Sequence, residues 1–79
     1  MQLGCGVYLL TVRRRRYVYF WHYEARAGKS VQLKEYVGPA DATRTRELAA
    51  ARCEAYYRRA IEAIQRIRLQ TLARISARS

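Results

Sequence analysis

The chain has 79 residues, with 16 Lys and Arg against 6 Asp and Glu, for a formal net charge of +10. That length allows one small domain, which buries too little surface for a deep substrate cavity with a supporting shell. The 51% hydrophobic content excludes a disordered basic tail, which lacks the apolar side chains that offset chain entropy.

The first apolar run, Val7 to Val12, is too short to span a bilayer, and its arginines follow it instead of preceding it as in a secretory leader. A cytoplasmic protein is therefore expected. The run ends at Arg13-Arg14-Arg15-Arg16 and is followed by Tyr17-Val18-Tyr19-Phe20-Trp21-His22-Tyr23, a second strand by its β-branched and aromatic content. Arg26-Ala27-Gly28 reads as a three-residue hairpin loop with Gly at the position needing positive φ. In that register Tyr23 faces Val31, Trp21 faces Leu33, Tyr19 faces Glu35 and Tyr17 faces Val37, forming the core side of the sheet. The other side then holds Val18, Phe20, His22, Glu24, Gln32, Lys34 and Tyr36 as a working surface. Val7 to Val12 pairs with the same central strand through the arginine turn, adding Tyr8, Leu10 and Val12 to the core.

Composition changes at Gly38-Pro39, where strand formers give way to Ala, Arg, Glu, Leu and Ile. A helix is expected from about Ala42 to Ile75, capped by Asp41 or Thr43. Its side made of Cys53, Tyr57, Ala60, Ile61, Ile64, Ile67 and Ile75 is the expected cover for the sheet. Such a helix is ~50 Å long, whereas short strands span only ~25 Å. Either it breaks near Ala60, or its distal part, with Ile64, Ile67 and Ile75, packs on a second copy; the homodimer is favoured, because an exposed isoleucine stripe is a liability. The fold class is α+β: a three-stranded, or two-stranded, antiparallel sheet over residues 1–38 and one long C-terminal helix within 41–76, in a single domain.

Catalysis and metal binding find no constellation. There is one His (His22), one Asp (Asp41), and Cys5 and Cys53 lie far apart, so neither a nucleophile with its base nor a chelating cluster assembles. No enzyme, cofactor, metal or small-molecule substrate is expected. The two cysteines are free packing residues or, if the fold brings them together, a bridge. A membrane-surface helix is disfavoured, because its polar arc carries acids and its apolar face has no Trp or Phe.

Nucleic acid is the expected partner. The basic residues are 14 Arg and only Lys29 and Lys34, and a guanidinium binds phosphate through a planar fork as well as by charge. The Arg bias and the absence of Asn also fit a hot habitat. Residues 1–40 carry 7 basic and 2 acidic side chains, and residues 41–79 carry 9 and 4. On the helix, pairs such as Glu54 with Arg58 and Glu62 with Arg66 balance much of the charge. Arg13 to Arg16 have no acid nearby in sequence and adjoin aromatic residues, the combination used by stacking platforms and groove-reading sheets.

The segment from Arg16 to Pro39, with its aromatic alternation, Gly28-Lys29 and Tyr36-Val37-Gly38, followed by an Ala/Arg/Glu helix, resembles small hairpin-plus-helix DNA-binding proteins of archaeal and bacterial mobile elements. Three strands and a helix also resemble the arm-binding domain of tyrosine integrases and the plant ethylene-response-factor domain. The resemblance covers roughly residues 13–60 and departs in the much longer helix. It implies a sheet lying in the DNA major groove, with Arg14, Arg16, Phe20, His22, Gln32 and Lys34 toward bases or phosphates. The expected function is binding of duplex DNA, as a plasmid- or virus-encoded regulator or recombination factor. Arg13, Arg14, Arg15, Arg16, Arg26, Lys29 and Lys34 would sit on phosphates, and Phe20, His22, Gln32 and Tyr36 on the groove-facing surface. Structured or ribosomal RNA is the alternative, and a helix-mediated protein interaction module the second.

Overall fold

The structure, a computed structural model, describes residues 3–77. Strands β1 (Cys5–Val12), β2 (Arg15–Arg26) and β3 (Lys29–Pro39) form one antiparallel sheet in the order β1-β2-β3, followed by a single helix α1 (Thr43–Ser76). The α+β fold with one long C-terminal helix is the expected one, and the third strand is present.

Both hairpins close through two-residue turns. At Ala27 and Gly28 φ is 51° and 77°, and Arg26 pairs directly with Lys29. Positive φ at both central residues is the mark of a type I′ turn, whose twist matches that of the flanking strands. The loop is thus one residue shorter than the expected Arg26-Ala27-Gly28, and the register moves by one. Tyr23 faces Gln32, His22 faces Leu33, Trp21 faces Lys34, Phe20 faces Glu35 and Tyr19 faces Tyr36. Because side chains alternate with period two, this slip places β3's Gln32, Lys34 and Tyr36 with the tyrosines and its Val31, Leu33 and Glu35 with Phe20 and His22. A bulge between Val18 and Tyr19 inserts Val37 and carries Val18 to Gly38.

The sheet therefore has its faces reversed relative to the expected core. Phe20 and His22 are each 4% exposed beneath α1, with Val37, Ala49 and Tyr56 buried around them and Cys5, Val18 and Cys53 packed alongside. The side of α1 that meets the sheet carries mostly small residues, Thr45, Ala49 and Cys53, with Tyr56 as its one large anchor. Small side chains let the helix approach closely and leave room for Phe20 and His22, whose rings stack at 5.2 Å. Tyr56 ties the layers: its hydroxyl accepts from Gly4 N–H at 3.1 Å and donates to the Tyr23 carbonyl at 2.9 Å. The isoleucine stripe expected to cover the sheet does not. Tyr57, Ile61, Ile64, Ile67 and Ile75 remain exposed.

α1 is continuous, with no break near Ala60. Its N-cap is Ala42, with no side-chain cap from Asp41 or Thr43 and no acid in the first turn. Helix formation instead rests on the Ala, Leu, Glu, Gln and Arg content from Glu47 onward. Residues 64–77 are all exposed, and the molecule is 65 Å long and 12 Å thick. The last three turns run past the sheet with Ile67, Leu69, Leu72 and Ile75 in the open.

The start of α1 is seated on Gly38. A Cβ there would lie 2.5 Å from Thr45 Oγ1, and Thr45 is 3% exposed. Gly38→Ala is therefore expected to destabilise the fold by about 1–3 kcal/mol through overpacking. Adding Thr45→Ala should recover most of that loss in a denaturant titration. A double variant as unstable as Gly38→Ala alone would place the constraint elsewhere.

Candidate nucleic-acid interface

The face of the sheet turned away from α1 carries Tyr8 and Leu10 from β1, Tyr17, Tyr19, Trp21 and Tyr23 from β2, and Gln32, Lys34 and Tyr36 from β3. Among the described residues no second layer lies over it. The rings support one another: Tyr8 stacks on Tyr19 at 5.3 Å, Tyr36 meets Tyr19 edge-on at 5.6 Å and Tyr17 at 6.0 Å, and Trp21 meets Tyr23 edge-on at 5.7 Å. Lys34 Nζ stands 5.7 Å from the centre of the Tyr8 ring, a cation–π contact.

Trp21 lies flat because of its neighbour. It pairs with Gly6 on β1, and a Cβ on Gly6 would come within 2.8–2.9 Å of three indole atoms. Only a residue without a side chain lets the indole rest on the β1 backbone. Cross-strand mutual support of this kind fixes ring orientation without a covering layer.

The four arginines separate into distinct positions. Arg13 and Arg14 are the central residues of the β1–β2 turn, with φ of 50° and 67°. Arg15 and Arg16 belong to β2 and pair with Val12 and Thr11. Arg14, Arg15, Arg16 and Tyr17 line an open cleft of about 490 Å³ together with Pro39, Ala40 and Asp41. The Ala40 N–H bonds the Arg16 carbonyl at 2.9 Å and closes that end of the sheet. None of the four arginines makes an ion pair among the described residues. Arg26 and Lys29 flank the other turn, 11 residues along β2 or roughly 36 Å away. The aromatic row thus runs between two basic ends, with Lys34 between them.

Of the expected site residues, Arg15, Gln32, Lys34 and Tyr36 share this open face. Arg13, Arg14, Arg26 and Lys29 mark its two ends, and Arg16 lies on the helix side of β2 at the cleft. Phe20 and His22 do not belong to the surface, since α1 buries both. His22 Nε2 donates to Glu35 Oε1 at 3.1 Å, and Nδ1 stands 3.5 Å from Glu24 Oε1 without a hydrogen-bond partner. The sequence reading missed Tyr8, Tyr17, Tyr19, Trp21 and Tyr23 as surface groups. The signal lay in the small residues Thr45, Ala49 and Cys53, whose helical spacing marks the sheet-facing side of α1. Ile64, Ile67 and Ile75 are uncovered.

Comparison with protein-family models, curated proteins and solved structures finds no match to this chain. The likeness to integrase and mobile-element domains therefore extends only to the arrangement of three strands and a helix.

Three of the six acids, Glu24, Glu35 and Glu54, are engaged within the molecule. Glu24 and Glu35 face His22; Glu24 Oε2 is 3.9 Å from Arg26, and Glu35 Oε2 is 3.6 Å from Arg52. Arg52 turns toward β3 and donates to the Tyr36 carbonyl at 3.1 Å. On α1 the expected Glu54–Arg58 pair forms at 2.8 Å, whereas Glu62–Arg66 does not. Among the described residues, no group of three His, Cys, Asp or Glu is placed to hold a metal and no helix is long and apolar enough to cross a membrane. Cys5 and Cys53 meet on the far side of the sheet, where burial, aided by a hydrogen bond to Cys53, pushes the Cys5 thiol from its ordinary 9.0 up to about 11.

Two arginines in left-handed backbone are a stability cost, since each non-glycine residue there loses roughly 1–2 kcal/mol. Asn-Gly is the favoured pair for such a turn. Arg13→Asn/Arg14→Gly is thus expected to raise Tm by about 5–10 °C, as read by thermal melting. An unchanged or lower Tm would remove the strain argument. Cys5 gives a pH prediction. Its raised folded value contributes stability that is complete below pH 9 and is lost as pH rises toward about 11. The alkaline loss of stability over that window should be smaller in Cys5→Ala than in the parent chain.

Proposed function

We propose that the chain is a nucleic-acid-binding protein that takes unpaired bases on the open aromatic face of its sheet. Phosphates are held by Arg13, Arg14, Arg15 and Arg16 at one end, Arg26 and Lys29 at the other, and Lys34 between them. The observation that carries this reading is the aromatic row left without cover between two basic ends.

Spacing favours unpaired bases over an intact duplex. Alternate residues of β2 are roughly 6.7 Å apart, about twice the 3.4 Å rise between stacked bases. Rings so placed suit bases separated from one another, each resting on an aromatic face. Groove reading needs donors and acceptors aimed at base edges, and this face offers chiefly tyrosine rings with Gln32 and Lys34. Burial of Phe20 and His22 removes two of the groups on which the duplex reading relied. Base–aromatic stacking is worth about 1–3 kcal/mol per base, and neutralised phosphates add a salt-dependent term common to all sequences.

Trp21 is the chain's only tryptophan, so its fluorescence reports on the face directly. Titration with single-stranded DNA, single-stranded RNA and duplex DNA of equal length is expected to quench it with the unpaired strands and to give them the higher affinity. Affinity for unpaired strands should fall with salt at a slope of about −0.7 per phosphate contacted. Trp21→Ala should weaken binding about 5- to 100-fold without changing that slope, while Arg15→Gln should flatten it by about 0.7. Preference for duplex with unchanged fluorescence would replace stacking by groove insertion. Absence of salt-dependent binding to any of the three would leave the helix-mediated interaction module as the reading.

A further inference from the structure

On the side of the sheet away from the proposed nucleic-acid face, Cys5 at the start of β1 and Cys53 in α1 are brought together from 48 residues apart, with Cys5 Sγ 3.3 Å from Cys53 Sγ. Both thiols are free and half-buried. We propose that these cysteines are a modification site: an intramolecular disulfide, formed by exchange with a low-molecular-weight disulfide, that cross-links the edge strand to the helix.

The contact is built by the fold. Cys5 pairs with His22 across the β1–β2 ladder, so its side chain falls on the helix side of the sheet. Cys53 lies on the sheet-facing side of α1, one turn before Tyr56. Tyr56 anchors the adjacent backbone through Gly4 N–H and the Tyr23 carbonyl, which holds the start of β1 against the helix. Sulfurs at 3.3 Å need approach by only about 1.2 Å to reach the ~2.05 Å of a disulfide.

The exchange proceeds in two balanced steps. One cysteine thiol, as its thiolate, attacks the small disulfide RSSR; a protein–S–SR bond forms, the RS–SR bond breaks, and the departing RS⁻ takes up a proton to leave RSH. The second cysteine, already adjacent, attacks the protein sulfur of that mixed disulfide and expels a second RSH. One RSSR is reduced to two RSH, and the two thiols are oxidised to one disulfide. Proximity favours the second step over release by external thiol, because the resolving sulfur is held at the site and not delivered by diffusion.

The consequence is mechanical. β1 is an edge strand with Val7, Leu9, Leu10 and Val12 exposed, and it is paired to the rest of the sheet on one side only. It also leads directly into the arginine turn. A cross-link at its first residue closes a loop that contains the whole sheet and the first turns of α1, which restricts the unfolded chain strongly.

The test uses the full-length chain in buffers of reduced and oxidised glutathione, quenched with acid, alkylated and weighed. The expected main product has the mass of one chain less two hydrogens, resists alkylation, and melts about 10–20 °C above the reduced form. In denaturant its formation constant should drop on the order of 100-fold, because the fold no longer holds the sulfurs together. Cys5→Ser and Cys53→Ser should each stop at the glutathione adduct. Glutathione adducts or linked dimers as the main products of the parent chain would overturn the proposal, as would an internal bond that forms equally well in denaturant. The readout is independent of nucleic acid, so it stands or falls apart from the binding reading.

Discussion

One helix can cover only one face of a three-stranded sheet, and almost everything distinctive in this molecule depends on which face that is. β2 carries two complete sets of large side chains, Tyr17, Tyr19, Trp21 and Tyr23 on one side and Val18, Phe20 and His22 on the other. Either set is apolar enough to serve as a core. The two-residue turn at Ala27-Gly28 sets the register of β3 against β2 and so sends Val31 and Leu33 to join Phe20, while Gln32, Lys34 and Tyr36 join the tyrosines. Gln32 and Lys34 thereby fall with rings that have hydroxyls or an indole N–H and tolerate water, while Glu35 goes to the helix side, where His22 and Arg52 meet it. The helix takes the other side, where Phe20 has no polar handle.

That choice explains why much of the architecture was legible in the sequence while the site was half inverted. Strand formers up to Pro39 and helix formers beyond it are strong local signals, and the alternation along β2 correctly divides its residues into two faces. Deciding between those faces required a register accurate to one residue. Ala27 at positive φ concealed it, since Ala is not a residue expected in left-handed backbone. The helix contributed its own ambiguity. Its most hydrophobic stripe, through Ile61, Ile64 and Ile75, is not its buried side; the buried side is the one whose side chains are small enough to approach a Phe and a His ring. Hydrophobicity and fit gave different answers, and close packing decided between them.

The basic ends are linked to the same geometry. A turn built on Arg13 and Arg14 gives up stability that Asn and Gly would retain, in a protein whose buried hydrophobic core is Phe20, Val37, Ala49 and Tyr56. Strain tolerated in so small a core points to a use for the side chains themselves. Meanwhile Glu24, Glu35 and Glu54 are engaged by His22, Arg26, Arg52 and Arg58. Internal pairing thus engages three acids in the middle of the molecule, while Arg13 to Arg16 make no ion pair among the described residues and place four positive charges at one end of the aromatic row, with Asp41 as the acid lining their cleft.

Such a distribution couples stability to binding. Four adjacent guanidinium groups repel one another, and the cost is borne by the hairpin that holds them. A polyanion lying along the open face would relieve that repulsion in the folded chain, where Arg13 to Arg16 sit in fixed positions at the end of the sheet. In the unfolded chain the same groups can move apart, so relief there is smaller. Under the binding reading, the ligand therefore stabilises the fold by its preference for the native state. The face without cover and the turn without an ion pair among the described residues are then two aspects of one arrangement, in which part of what a second layer would contribute is left for the partner to supply.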